Sequence, residues 1–225
     1  MMTARNPPAE PAFPLDDPAP ARGGARLAAR RAAFLAAARA AFEEKGFAAT
    51  TIEDVISRSG GSRQTLYALF GDKQGLFEAL VTEICETMLV GMAPQDLELL
   101  PLEEALAFFS ERYLAAVTSP KALALRRLLI AESARIPALA ERYWARGPAR
   151  THAFLSAFME RRRAGGELAV GDAGAAAAHF LDMLAGGVRQ QCLIGLRPPP
   201  GPEERRALAR AAIALFLNGA APRPA

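Results

Sequence analysis

The sequence predicts an all-α protein. Three observations carry this. Alanine dominates a composition that is 51% hydrophobic but only 7% aromatic, and alanine is the best helix former. Apolar residues recur at helical spacing in one segment after another. Runs rich in Val, Ile and Thr, the mark of strands, are absent. With 225 residues the chain is long enough for one large or two small domains with a real core.

Residues 1–24 contain six prolines, little apolar periodicity and a Gly23-Gly24 end, which reads as a disordered, solvated arm. Arg5 and Arg22 are the only cations this arm offers to a minor groove. A helix is expected over Ala25–Lys45, with Leu27, Phe34, Leu35, Ala38 and Phe42 on its apolar stripe. Gly46 ends it, and Phe47 plugs the junction that follows. Thr50 and Glu53 have the spacing of a capping box. The helix they open carries Ile52, Val55 and Ile56 on one face, and Ser59-Gly60-Gly61 closes it. Ser62 suits the N-cap of the next helix, which turns Leu66, Leu69 and Phe70 to one side. Two short helices around a glycine turn have the form of a helix-turn-helix. Asp72 caps a fourth helix reaching Gly91, with Leu76, Phe77, Leu80, Val81 and Ile84 inward, and the Gly91–Pro94 region is the natural domain boundary.

Beyond it the pattern is helix after helix: Pro101–Val117, Ser119 to about Ala134, Pro137–Arg146, Pro148–Gly165, Asp172–Leu196 and Pro202–Asn218. Pro at a first turn and Asp172 as an N-cap mark several starts. The expected organisation is an arm (1–24), an N-terminal three-helix DNA-binding unit with its linking helix (25–90), a C-terminal helical domain (91–219) and a short tail (220–225), about nine helices in all.

The second helix of the hairpin has a face free for work. At about 100° per residue, Gln64 and Ala68 point away from the apolar side, with Thr65 and Tyr67 on the flanks and Arg63 at the start. A polar, small, non-acidic face suits the DNA major groove, where Gln pairs with adenine and Arg with guanine. Tyr67 and Lys73 are of the types that hold phosphates. The charge agrees in direction. Residues 22–73 carry nine Lys or Arg against five acids, while the whole chain is only +3, so the excess sits where phosphates would release counterions. An ordinary helical hairpin with a solvated basic face has the same pattern.

The residues Thr50-Thr51-Ile52-Glu53-Asp54-Val55-Ile56, Ser59-Gly60, Ser62-Arg63-Gln64-Thr65-Leu66-Tyr67, Phe70 and Asp72-Lys73-Gln74-Gly75-Leu76 resemble the DNA-binding domain of the TetR family of bacterial transcriptional regulators, over about Leu27 to Met88. The resemblance implies phosphate contacts from Tyr67 and Lys73, and base or backbone contacts from Ser62, Arg63, Gln64 and Thr65. Thr50 and Thr51, at the entry to the motif, complete the expected DNA-facing set. Two positions depart from the family. Gly61 stands where an apolar residue such as Val is common, which implies a looser turn. Ala68 and Leu69 replace the usual His, Tyr or Trp, which leaves base reading to Arg63, Gln64 and Thr65.

The last two long helices are apolar on more than one face and need partners, either within the subunit or in a second copy. The resemblance implies a homodimer formed by these helices, with two recognition helices meeting half-sites ~34 Å apart. Phe108, Phe109, Tyr113, Leu128, Glu132, Tyr143, Trp144, His152, Phe154, Phe158 and Met183 fall where a largely apolar pocket with a few polar groups would form, although aromatics at such spacing also build plain cores. The segment Arg127–Pro148 is similar to the C-terminal domain of AefR-like TetR regulators.

The implied function is a ligand-responsive, sequence-specific regulator of a double-stranded operator, typically a repressor released by a small apolar molecule. The alternatives are an architectural DNA binder without an effector, or a helical enzyme. The enzyme reading lacks any nucleophile–base set, H-E-x-x-H or P-loop spacing. Neither cofactor nor metal is expected. His152 and His179 read as hydrogen-bonded helix residues. Cys85 and Cys192 are too far apart in sequence for a metal or disulfide pattern and fit a reducing compartment. No signal peptide is evident. The longest apolar stretch, Ala173–Leu196, contains Asp182 and Arg189 and is no membrane span. The expected location is the cytoplasm, at the nucleoid.

Overall fold

The structure, a computed structural model, describes residues 22–89 and 97–219. These form ten helices and no strand: α1 (Arg22–Ala49), α2 (Ile52–Ser59), α3 (Arg63–Phe70), α4 (Lys73–Leu89), α5 (Leu102–Val117), α6 (Pro120–Glu132), α7 (Pro137–Arg146), α8 (Pro148–Ala164), α9 (Ala173–Leu193) and α10 (Pro202–Asn218). The all-α expectation holds. The Gly91–Pro94 boundary, most of the N-terminal arm and the C-terminal tail lie outside the described residues.

Most of the expected breakpoints within the described residues have a physical counterpart. Gly46 leaves the helical conformation at φ 77°, so α1 breaks there and resumes for one short turn. Gly60 closes α2 in the left-handed conformation (φ 65°), its N–H donating to Ile56 O at 3.0 Å. Ser62 caps α3 by accepting from Thr65 N at 3.1 Å. Asp72 Oδ1 accepts from Gly75 N at 2.7 Å at the head of α4. Ser119 and Asp172 cap α6 and α9 in the same way.

The capping box of α2 is one residue later than expected. Thr51 is the N-cap, and its partner is Asp54: Asp54 N donates to Thr51 Oγ1 and Thr51 N to Asp54 Oδ2, at 3.2 and 2.9 Å. Thr50 is excluded from the role because it is buried. Its hydroxyl, shared between Gly46 O at 2.7 Å and Ala41 O at 3.0 Å, satisfies carbonyls that the break in α1 orphans.

Two cores result. The first joins Phe34, Phe42, Phe47, Val55, Leu66, Leu76, Phe77 and Leu80 from α1–α4 and also takes in Leu125 of α6 and Leu139 of α7. Phe47 is its plug, with its ring 5.2 Å from Phe42 and 5.8 Å from Phe77. Leu27, expected on the α1 stripe, is instead about half exposed, because α1 outruns the helices it packs on. The second core is built from Leu106, Phe109, Phe154, Phe158, Phe180, Leu184 and Ile213 of α5, α8, α9 and α10. Arg162 pins its edge: the buried guanidinium donates to Leu97 O and Leu100 O, both at 2.7 Å, and to both oxygens of Glu167.

Helix α4 ties the two halves. Its Glu78 pairs with Arg142 and Arg146 of α7, and its Glu83 with Arg39 of α1 and Lys121 of α6.

Candidate nucleic-acid interface and effector cavity

Helices α2 and α3 are each two turns long and amount to little without a scaffold. Val55 and Leu66 anchor them, fully buried, in the first core. This orientation leaves the outer face of α3 in solvent. Gln64 and Tyr67 are exposed and make no side-chain hydrogen bond within the described residues. Arg63 is exposed too and ion-paired with Glu53 of α2. Both groups are well solvated, so the pair is weak. Ser62 and Thr65 hydrogen-bond each other, Oγ to Oγ1 at 2.8 Å, at the helix start. Thr51 is exposed, with its hydroxyl on Asp54 Oδ2 at 3.0 Å.

Two of the expected contacts sit elsewhere. Thr50 faces inward, as above. Lys73 turns its ammonium onto the C-terminal end of α1, donating to Phe47 O at 2.8 Å, Ala48 O at 3.1 Å and Thr50 O at 2.8 Å, over the Phe47 ring. Burial pulls its pKa below the usual 10.5, and the nearby Glu132 carboxylate opposes that shift. All three ammonium protons are engaged. A phosphate contact by Lys73 requires it to leave this seat.

Gly61 also differs from expectation. The turn is not loose, because the Phe34 ring fills the place of the missing side chain.

Between the halves lies a cavity of about 490 Å³. Val81 and Ile84 of α4, Leu125 and Leu129 of α6 and Leu181 of α9 give it apolar walls. Of the expected pocket residues, Tyr113, Tyr143, Trp144 and His152 line it. The other seven do not. Phe109, Phe154 and Phe158 are core residues, Phe109 stacking on Tyr113 and Phe154 at 5.8 and 6.1 Å. Leu128 packs against the first core. Glu132, the last residue of α6, reaches the DNA-binding unit, where Oε1 accepts from Ala48 N at 3.4 Å and Oε2 is buried with no partner among the described residues. Met183 is exposed on the outer face of α9. Phe108 is likewise at the surface, beneath Arg112.

Sequence reasoning missed the cavity's charged groups, Arg126, Arg189 and Asp182, and the polar Thr151. The spacing of Asp182 and Arg189, two turns apart on an otherwise uncharged helix, was the available signal. Arg126 Nη1 donates to Tyr143 Oη at 3.3 Å and Arg189 Nη1 to Tyr113 Oη at 3.4 Å. Burial raises the Tyr113 pKa above 10, with Arg189 opposing, so the phenol is neutral at physiological pH. His152 Nε2 lies 2.9 Å from Gly174 O, a helix-bridging hydrogen bond. Cys192 is buried with Sγ 3.4 Å from Pro198 O, and the Cys85 side chain is outside the described residues. Among the described residues no His, Cys, Asp and Glu cluster could hold a metal, and no helix is long and apolar enough to cross a membrane.

A recognition helix standing free on a three-helix unit, packed through α4, α6 and α7 against a body with an internal cavity, is the architecture of a helix-turn-helix DNA-binding regulator. The chain belongs to the TetR family of bacterial transcriptional regulators, with a C-terminal domain of the AefR-like repressor type. The family model for TetR-type regulatory proteins matches residues 34–80, and that for the C-terminal domain of AefR-like transcriptional repressors matches 104–219. Among solved structures, the flavonoid-responsive regulator FrrA is 30% identical (TM-score 0.65), covering 87% of this chain and 98% of its own. A TetR-family regulator from Mesorhizobium loti MAFF303099 is 27% identical (TM-score 0.68; 85% and 96% covered). One from Agrobacterium tumefaciens is 26% identical (TM-score 0.65; 84% and 92%). The sequence has no match among curated proteins.

Proposed function

We propose that this chain is a homodimeric, cytoplasmic repressor that binds an operator through α3 and is released by a small, largely apolar effector bound in the 490 Å³ cavity. One observation carries the reading: Val81 and Ile84 in the cavity wall and Lys73 in the seat of the helix-turn-helix belong to the same helix, α4. An effector that favours one placement of α4 thereby favours one placement of α3, an equilibrium shift by differential affinity. The expected DNA-contacting set is Thr51, Ser62, Arg63, Gln64, Thr65 and Tyr67.

The outer surface of α9 and α10 supports the dimer. A β-carbon on Gly186 or Gly187 would meet nothing within 4 Å, and Met183 and Leu215 are exposed. Small residues with open space above them allow close approach of a second copy. The flavonoid response in the name of FrrA supports an aromatic, oxygen-bearing effector here. The test is binding of the dimer to DNA upstream of its own and neighbouring genes at physiological salt, with and without candidate effectors. Sequence-selective binding relieved by one class of compound is the expected result. Absence of selective binding removes the regulator reading, and binding that no cavity ligand relieves removes the effector.

A further inference from the structure

The arginines near the cavity are of two kinds. Arg127 is committed to structure: Nε and Nη2 cap the end of α9 at Leu193 O and Cys192 O, 2.8 and 2.9 Å away. Its neighbour Arg126 and, across the cavity wall, Arg189 are not. Each makes one long hydrogen bond to a tyrosine oxygen, at 3.3 and 3.4 Å, and among the described residues neither has a carboxylate within ion-pair distance. Among the described residues, the only carboxylate in the lining is Asp182, on the solvent-exposed side of α9.

The phenols complete the pattern. Tyr143 and Tyr113 accept from the guanidiniums, so each hydroxyl hydrogen is left to donate. Each guanidinium–phenol pair thus presents N–H and O–H donors, and its one acceptor, the phenol oxygen, already takes a guanidinium proton. Part-desolvated guanidiniums gain most from an anionic oxygen, through short charge-assisted hydrogen bonds. The rest of the lining is largely apolar, so the rest of the occupant is apolar.

We infer that the effector is an apolar organic anion, an aromatic or alicyclic body carrying a carboxylate or ionised phenol oxygen, held by the Arg126–Tyr143 and Arg189–Tyr113 pairs. This rests on the cavity being the effector site. The anion links α5, α6, α7 and α9, and so sets the position of the two helices, α6 and α7, that grip α4.

Trp144 makes the test direct, because it is the only tryptophan in the chain and lines the cavity. The full-length protein is titrated with 2-naphthoate, 4-biphenylcarboxylate and 4-hydroxycinnamate and with their methyl esters, by calorimetry, with Trp144 fluorescence reporting occupancy. The expected result is that at least one acid binds about ten-fold or more tightly than its ester. The Arg126→Gln/Arg189→Gln double variant should lose this preference and still bind the ester. Equal or tighter binding of all the esters by the unaltered protein overturns the anion and leaves the effector cavity standing. A preference that survives in the double variant overturns the two pairs as its source. Absence of saturable binding by either series overturns both the anion and the cavity. The acid-to-ester ratio of the unaltered protein decides the matter even if the double variant does not fold.

Discussion

The Phe34 ring occupies the place of the side chain that Gly61 lacks: a β-carbon on residue 61 would lie 2.2 Å from Phe34 Cζ and 2.5 Å from Cε1. Phe34 is completely buried and also meets Phe70 edge-on at 6.1 Å. One aromatic ring on α1 therefore packs against both the turn between α2 and α3 and the end of α3. Gly61→Val, which restores the residue common in the family, should destabilise the protein by about 1–3 kcal/mol through overpacking. Gly61→Val combined with Phe34→Leu should recover part of that loss. Denaturant melts of the single and double variants measure the coupling; additive losses would mean the two side chains do not compete for one space.

Lys73 reads as a phosphate contact in sequence and as a clasp in structure. Its hydrogen bonds to Phe47, Ala48 and Thr50 carbonyls predict that Lys73→Met lowers stability by about 1–3 kcal/mol. Operator affinity should fall with the population of folded DNA-binding unit, and the slope of log affinity against log salt should stay constant. A slope smaller by about one would return Lys73 to the phosphate backbone.

Glu132 belongs to the interface between the halves. Its Oε1 would lie 2.8 Å from a β-carbon on Gly46, whose φ of 77° already disfavours a side chain. Gly46→Ala should cost on the order of 1–3 kcal/mol. Glu132→Gln should leave effector affinity, read by Trp144 fluorescence, unchanged. A several-fold change in that affinity would place Glu132 in the effector site after all.

The exposed face of α3 makes separable predictions. Gln64→Ala should relax preference at one base pair, at a cost of roughly 1–3 kcal/mol there. Tyr67→Phe should weaken binding about equally across operator variants, because a phosphate contact carries no sequence information. Competition binding against a library of single-base operator variants distinguishes the two patterns.

Asp54 gives the α2 cap a pH dependence. The Lys45 ammonium at 2.6 Å and the Thr51 backbone and hydroxyl hold its pKa down to about 2, from 3.8. A carboxylate depressed in the folded state stabilises above its unfolded pKa and loses that contribution as pH falls. Wild-type stability should therefore decline between about pH 4 and pH 2 more steeply than that of Asp54→Asn. Parallel pH profiles would show that the box contributes nothing to the fold.

The legible part of this protein was local. Helix type follows from alanine content and apolar period, and helix ends from Gly46, Gly60, Ser62, Ser119 and Asp172, whose effects act within one turn of chain. The polar face of α3 follows from the positions of Leu66, Gln64 and Tyr67 on one helix. What tertiary structure decided was the fate of groups that reach across the chain. Lys73 caps a helix that ended 24 residues earlier because α4 happens to start beneath it. Glu132 leaves the cavity because α6 ends against Gly46. Phe109 and Phe158 are core and Arg126 and Arg189 are lining, a distinction set by the rotation of each helix on its neighbours. Periodicity shows that a helix has an apolar face; which part of that face meets a neighbour and which part meets a void depends on crossing angle and register, and those are properties of pairs of helices.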